Sequence, residues 1–131
     1  MKTDYDLFID GRWVKPGARF EVRVPYDGAV FGTAPKANRA EVGQAVAVAK
    51  KAAPAAARLP SHKRHEILAK AAMLMEQRTE DFARAIACES GKPVREARSE
   101  VGRSVLTLSF SAEEARRNVG EMVPVDAVAV R

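Results

Sequence analysis

Few residue types in this chain can do chemistry, and their spacing argues against most reactions. Cys88 is the single cysteine among 131 residues and so the one thiol that could attack a carbonyl. It falls two or three residues before the expected end of a helix, where the negative end of the helix dipole disfavours a thiolate. His62 and His65 lie on a different expected helix, and nothing in the spacing brings either to Cys88. A small core residue is the better reading of Cys88. One cysteine allows no intrachain disulfide and no Cys/His metal set, and it fits a reducing compartment.

Phosphate-binding and acid–base motifs fare no better. Glu89-Ser90-Gly91-Lys92-Pro93 contains Ser-Gly-Lys, but it lacks the earlier spaced glycine and the preceding strand of a Walker loop. Its glycine closes a helix, which makes the segment a helix–helix corner. Gly28 and Gly32 do not form a G-x-G-x-x-G turn running into a helix, so there is no dinucleotide fingerprint. The adjacent carboxylates Glu80-Asp81 and Glu113-Glu114 read as exposed helix residues, not as general acid and base. Glu100 stands apart, because it lies at the edge of an apolar helical stripe beside Val101. A partly buried carboxylate there needs a partner, either a basic side chain such as Arg64 or Arg103, or a cation. No catalytic residue and no cofactor-binding residue is expected in this chain.

The elements that would position these residues fall into two parts. Residues 1–35 read as strands and turns. Tyr5–Ile9 and Arg12–Val14 flank Asp10-Gly11, a hairpin signal because both turn positions need positive φ. Phe20–Val24 alternates at period two, Tyr26-Asp27-Gly28 turns, and Ala29–Ala34 forms a strand closed by Pro35. Residues 36–131 change to helical period. Asn38 and Glu41 form a capping box ahead of the stripe Val42, Ala45, Val46, Ala49 and Ala53, and Pro54 limits that helix. A second helix starts at Ser61 as cap and buries Arg64, Ile67, Leu68, Ala71, Leu74 and Met75. A third starts at Thr79-Glu80-Asp81, buries Phe82, Ala85 and Ile86, and ends at Gly91. The longest opens with Pro93 at its first position, buries Val94, Ala97, Val101, Ser104 or Val105, Leu108, Ala112, Ala115 and Val119, and ends at Gly120. Pro124-Val125-Asp126 then begins an extended tail.

With 47% hydrophobic residues, the chain can build one real core. Its longest uncharged runs are too short to cross a bilayer. Met1-Lys2-Thr3-Asp4 leads into polar residues without an apolar signal core, so a cytoplasmic location is the expectation. A net charge of +5 raises the question of nucleic acid. Bases and acids are interspersed, however, and the one dense cluster, His62-Lys63-Arg64-His65, reads as a solvated helix face without any nucleic-acid signature.

One family unites these segments. Leu7–Val14, Val24-Pro25-Tyr26-Asp27-Gly28 with Val30 and Gly32, Ala45-Val46, Leu59-Pro60 with Arg64, Glu89–Pro93, Glu100-Val101 and Ala112–Ala115 running to Gly120-Glu121 resemble, in order, the opening of aldehyde dehydrogenases. The resemblance implies an α/β fold: the N-terminal part of the cofactor-binding domain, an incomplete Rossmann-like unit of antiparallel strands followed by about four helices. It implies a parent enzyme that oxidises an aldehyde to a carboxylic acid with NAD or NADP, using a cysteine and a glutamate that lie outside this stretch. Cys88 does not match that cysteine, so the chain alone is expected to be inactive. Glu100 resembles an acidic residue near a bound monovalent cation. The Phe110–Glu114 end of the long helix resembles the wall of the substrate entrance, and the pattern around Arg64, Glu100, Arg103 and Glu113 is similar to the branch that handles short hydroxylated or anionic aldehydes. The implied partners are the rest of the enzyme, its subunits in a homo-oligomer, and a small aldehyde. The competing expectation is a stand-alone helical module that binds another protein through its exposed apolar faces.

Overall fold

A computed structural model describes residues 3–121. Two antiparallel hairpins precede four helices: β1 Leu7–Ile9, β2 Arg12–Val14, β3 Ala18–Arg23, β4 Val30–Lys36, α1 Arg39–Ala57, α2 Ser61–Gln77, α3 Thr79–Ser90 and α4 Val94–Arg117. The expected tail at Pro124-Val125-Asp126 lies outside the described residues.

Asp10 and Gly11 adopt φ of 55° and 71°, and β1 pairs with β2 so that Phe8 faces Trp13. Their rings stand 5.0 Å apart at 57°, a tilted pair on the outside of the hairpin. β3 and β4 form a separate two-stranded sheet. β4 runs through Pro35, which the sequence placed at the strand's end. Two strands leave β4 with an outer edge, where a missing N–H interrupts no ladder. Residues 3–5 approach that edge through a parallel bridge between Asp4 and Thr33. Thr33 donates its amide to Thr3 O at 3.1 Å and its hydroxyl to Asp4 Oδ1 at 2.7 Å.

The capping box at α1 forms as expected: Glu41 N–H donates to Asn38 Oδ1 at 2.9 Å, and Asn38 N–H donates to Glu41 Oε2 at 2.7 Å. Pro54 does not limit α1, however, because the helix continues to Ala57. Proline removes one hydrogen bond near the C-terminus, and alanine, the best helix former, lies on both sides of it. α1's apolar stripe is also misplaced. Ala45 and Val48 are half-buried, whereas Val42 and Val46 are 52% and 62% exposed, and no residue of α1 is buried.

Other boundaries shift by short steps. Ser61 begins α2 rather than capping it, and Pro60 occupies the cap without a side-chain bond. Pro93 likewise precedes α4, whose first residue is Val94. α4 ends at Arg117 rather than at Gly120, and Val119 is 82% exposed. Gly91 closes α3 at φ 71°, donating its amide to Ala87 O at 2.9 Å. A side chain there would be strained in αL and would meet Pro25 Cβ at 3.4 Å.

α4 packs against α2 and α3. At the α3–α4 crossing Ala83, Ala97 and Val101 are buried, with Met75, Phe82 and Ile86 packed around them. Small side chains let the helix axes approach closely. Ala72 of α2 and Ala112 of α4 extend this seam. Beyond it the chain is open. Ile67, Leu74, Leu106 and Phe110 all lie more than two-fifths exposed. Ile67, Leu74 and Val94, expected in the core, turn outward because the faces of α2 and α4 that meet are centred on Ala72 and on Val101.

Candidate functional site

The chemistry-bearing residues gather on the two ends of α4. At its N-terminal end the tight turn at Gly91 brings Lys92 onto the first turns of the helix, where its ammonium pairs with Glu100. The hydrogen bond from Lys92, then its charge, holds the Glu100 carboxyl below the usual glutamate range, with Arg103 adding to the effect and partial desolvation opposing it. The partner is therefore Lys92, rather than the Arg64 or Arg103 that the sequence offered. Arg64 is used elsewhere, donating to Leu59 O at 2.6 Å. No group of three or more histidine, cysteine or acidic side chains able to hold a metal ion occurs among the described residues.

At the other end, His65 of α2 reaches across to α4. Its Nδ1 lies 2.9 Å from Ala112 O and 3.7 Å from Glu113 Oε1. As an N–H donor, Nδ1 bonds the carbonyl and pins α2 to the Phe110–Glu114 turn. The basic cluster is thus not one solvated face: Lys63 pairs outward with Glu66 at 2.7 Å, while Arg64 and His65 fold inward. Cys88 is half-buried on α3, and His65 is committed to α4. His65 is not paired with Cys88, and the thiol is only half-buried where a buried core residue was expected.

The adjacent carboxylates lie in ion pairs with neighbouring bases. Glu80 accepts two bonds from Arg98, at 2.7 and 2.9 Å, a fork that ties α3 to α4 and lowers the Glu80 pKa. Asp81 lies 3.5 Å from Arg78, and Glu114 lies 3.2 Å from Arg117. Sequence reasoning missed Ala72 and Ala83 as core and missed the His65–Ala112 link. The alanines leave little trace in a hydrophobic pattern, and the link spans 47 residues. Ala83 does lie three residues before Ile86, a spacing that could have betrayed it.

Between α2 and α4 runs an open groove. One part is lined by His65, Met73, Val105 and Ala112, and the next by Glu76, Gly102, Arg103 and Leu106. Such a surface can position, cover or select a small molecule. No helix among the described residues is long and apolar enough to cross a membrane.

Comparison with known proteins gives this arrangement a context. The profile of the aldehyde dehydrogenase family matches residues 13–131. A 3-sulfolactaldehyde dehydrogenase of Priestia aryabhattai is 40% identical over 123 residues, which are 94% of this chain and 25% of that protein. The crystal structure of aldehyde dehydrogenase 21 from Physcomitrella patens, in complex with the reaction product succinate, superposes with a TM-score of 0.91 at 32% identity. It covers 98% of this chain and 27% of its own. The NADP-dependent glyceraldehyde-3-phosphate dehydrogenase of Bacillus halodurans, complexed with NADP, superposes at 0.88 with 31% identity, over 92% of this chain and 26% of its own. The chain therefore spans about a quarter of the length of the proteins it matches. Its two hairpins and four helices reproduce their N-terminal part.

Proposed function

This chain belongs to the aldehyde dehydrogenase family, and from that premise we propose that it is the N-terminal part of an NAD- or NADP-dependent enzyme that oxidises an aldehyde to a carboxylic acid. Both stretches, residues 1–35 and 36–131, contribute to one incomplete cofactor-binding domain. The chain by itself is inactive. The reading rests on one observation: helix faces bearing Val42, Val46, Ile67, Leu74, Leu106 and Phe110 are open, at a cost of about 25 cal/mol for each Å² of apolar surface left in water. In the parent enzyme the remaining elements of the subunit cover those faces, and the subunits assemble as a homo-oligomer. Glu100 is the position at which a monovalent cation would compete with Lys92 for a carboxylate.

The substrate carries a negative charge remote from the aldehyde. Of the three relatives described above, two are named for a sulfonate- and a phosphate-bearing aldehyde and the third is in complex with the dicarboxylate succinate, and an anionic end is common to all three compounds. The test is NAD(P)H formation by the whole enzyme that carries these residues, assayed with succinate semialdehyde, 3-sulfolactaldehyde, glyceraldehyde 3-phosphate and neutral butanal. The expected result is turnover of an anionic aldehyde by the whole enzyme and none by residues 1–131 alone. Aldehyde oxidation by the isolated chain would overturn the reading, as would a whole protein inert to every aldehyde that instead binds another protein through the α4 face.

A further inference from the structure

Building on that reading, we propose that His65 is a positioning residue for aldehyde oxidation: its hydrogen bond to the Ala112 carbonyl fixes where the C-terminal half of α4 sits on α2. The seam between these helices is built around Ala72 and Ala112, both buried, with Ala69 beside them. Alanine methyl groups make shallow ridges. They bring two helices close, but they resist sliding along the axis less than long interlocked side chains do. Toward its N-terminus α4 is tied to α3, where Arg98 reaches both oxygens of Glu80. Ala112 lies about 21 Å farther along the axis. There the imidazole supplies the one side-chain hydrogen bond between α2 and α4 among the described residues.

That bond is directional. Ala112 O can only accept, so Nδ1 carries a proton and the neutral ring is held as the Nδ1–H tautomer. Glu113 Oε1, 3.7 Å from the same nitrogen, is a second acceptor on that side. No neighbouring hydroxyl takes over the role, because Ser109, which shares the groove, donates to Val105 O at 2.9 Å. The His65 side chain is 15% exposed, so water replaces only part of a lost bond. The tie acts through α4. Leu106 and Phe110 stand on its outward side, and in the parent enzyme they meet the elements that cover them. A helix that shifts on α2 carries both away from those elements, and a misplacement of about 1 Å far from the reacting atoms can cost about a hundredfold in rate.

The test compares the wild-type whole enzyme with His65→Phe, which keeps the bulk of the ring without a donor, and with His65→Gln, which gives up the ring but keeps an N–H donor. His65→Ala serves as the donor-free variant if phenylalanine upsets the seam. In the donor-free enzyme, amide exchange over residues 108–117 speeds up about 3- to 10-fold, while residues 94–101 keep their protection. Its kcat/KM for the aldehyde that the wild type oxidises falls by at least a similar factor, and His65→Gln recovers most of both losses. Unchanged exchange and rates without the donor, or equal losses in the glutamine and donor-free enzymes, overturn the role of the hydrogen bond. Faster exchange with unchanged kcat/KM overturns the link to the reaction. A wild type inert to every aldehyde instead overturns the functional reading beneath it, whatever the exchange pattern shows.

Discussion

Truncating one buried and one exposed residue of α4 should have very different costs in the isolated chain, a difference that the whole enzyme narrows. Val101 is 2% exposed and is the largest fully buried side chain, whereas Leu106, five residues on, is 57% exposed. Val101→Ala removes two buried methyl groups, about 1.6 kcal/mol of transfer free energy. The space they leave between Ala83, Ala97 and Ile86 raises the cost to about 2–3 kcal/mol. Leu106→Ala in the isolated chain removes contacts that are mostly with water, so the loss stays below about 0.5 kcal/mol. Urea unfolding of residues 1–131, followed by helical circular dichroism at concentrations low enough to keep the chain monomeric, measures both. In the whole enzyme Leu106 becomes covered, and its truncation costs about 2 kcal/mol or more. Equal costs for the two variants in the isolated chain would refute the placement of the core at the α3–α4 crossing. A Leu106→Ala cost that stays negligible in the whole enzyme would refute the idea that the outward face of α4 is meant to be covered.

Three further outcomes follow from single contacts. Glu80, Glu100, Glu66 and Asp4 all have depressed carboxyl pKa values through hydrogen bonds from Arg98, Lys92, Lys63 and Thr33. A depressed folded-state pKa contributes stability above the unfolded value, about 4.3 for glutamate and 3.9 for aspartate, and loses it as pH falls through the folded value. The urea midpoint should therefore drop as pH falls below about 5, and less steeply in Glu80→Gln; a flat profile would contradict this. Asn38→Ala should cost about 0.5–2 kcal/mol and fray the first turn of α1, seen as faster amide exchange there, because no buried residue of α1 holds the helix in place. Gly32→Ala would put a methyl group 2.1 Å from Thr3 O. It should release residues 3–5 from β4 and shift the Thr33 amide resonance, and an unchanged resonance would rule out that close approach.

Much of this architecture was legible because it is written in local signals. Asp10-Gly11 marked its hairpin, Asn38 and Glu41 marked the start of α1, and Gly91 marked the end of α3. Each sets backbone geometry within a few residues. What failed depends on distant contacts. Which face of α1 or α2 turns inward is set by neighbours far along the chain, so Val46 and Ile67 looked like core and proved exposed. Pro54 misled because a proline near a helix end forfeits one bond, which an alanine-rich turn tolerates. The partner of Glu100 was misjudged for a related reason. Lys92 lies eight residues away across a corner, and the turn at Gly91 carries it back onto α4. The separation of the one cysteine from the two histidines was readable directly, because they fall on different helices.

The most direct test is sedimentation velocity of residues 1–131, alone and mixed with the separately produced remainder of the enzyme. The account predicts concentration-dependent self-association of the chain alone, because its uncovered helix faces seek apolar contact, and a one-to-one complex once the remainder is present. A sharp monomer at every concentration that ignores the remainder would contradict it.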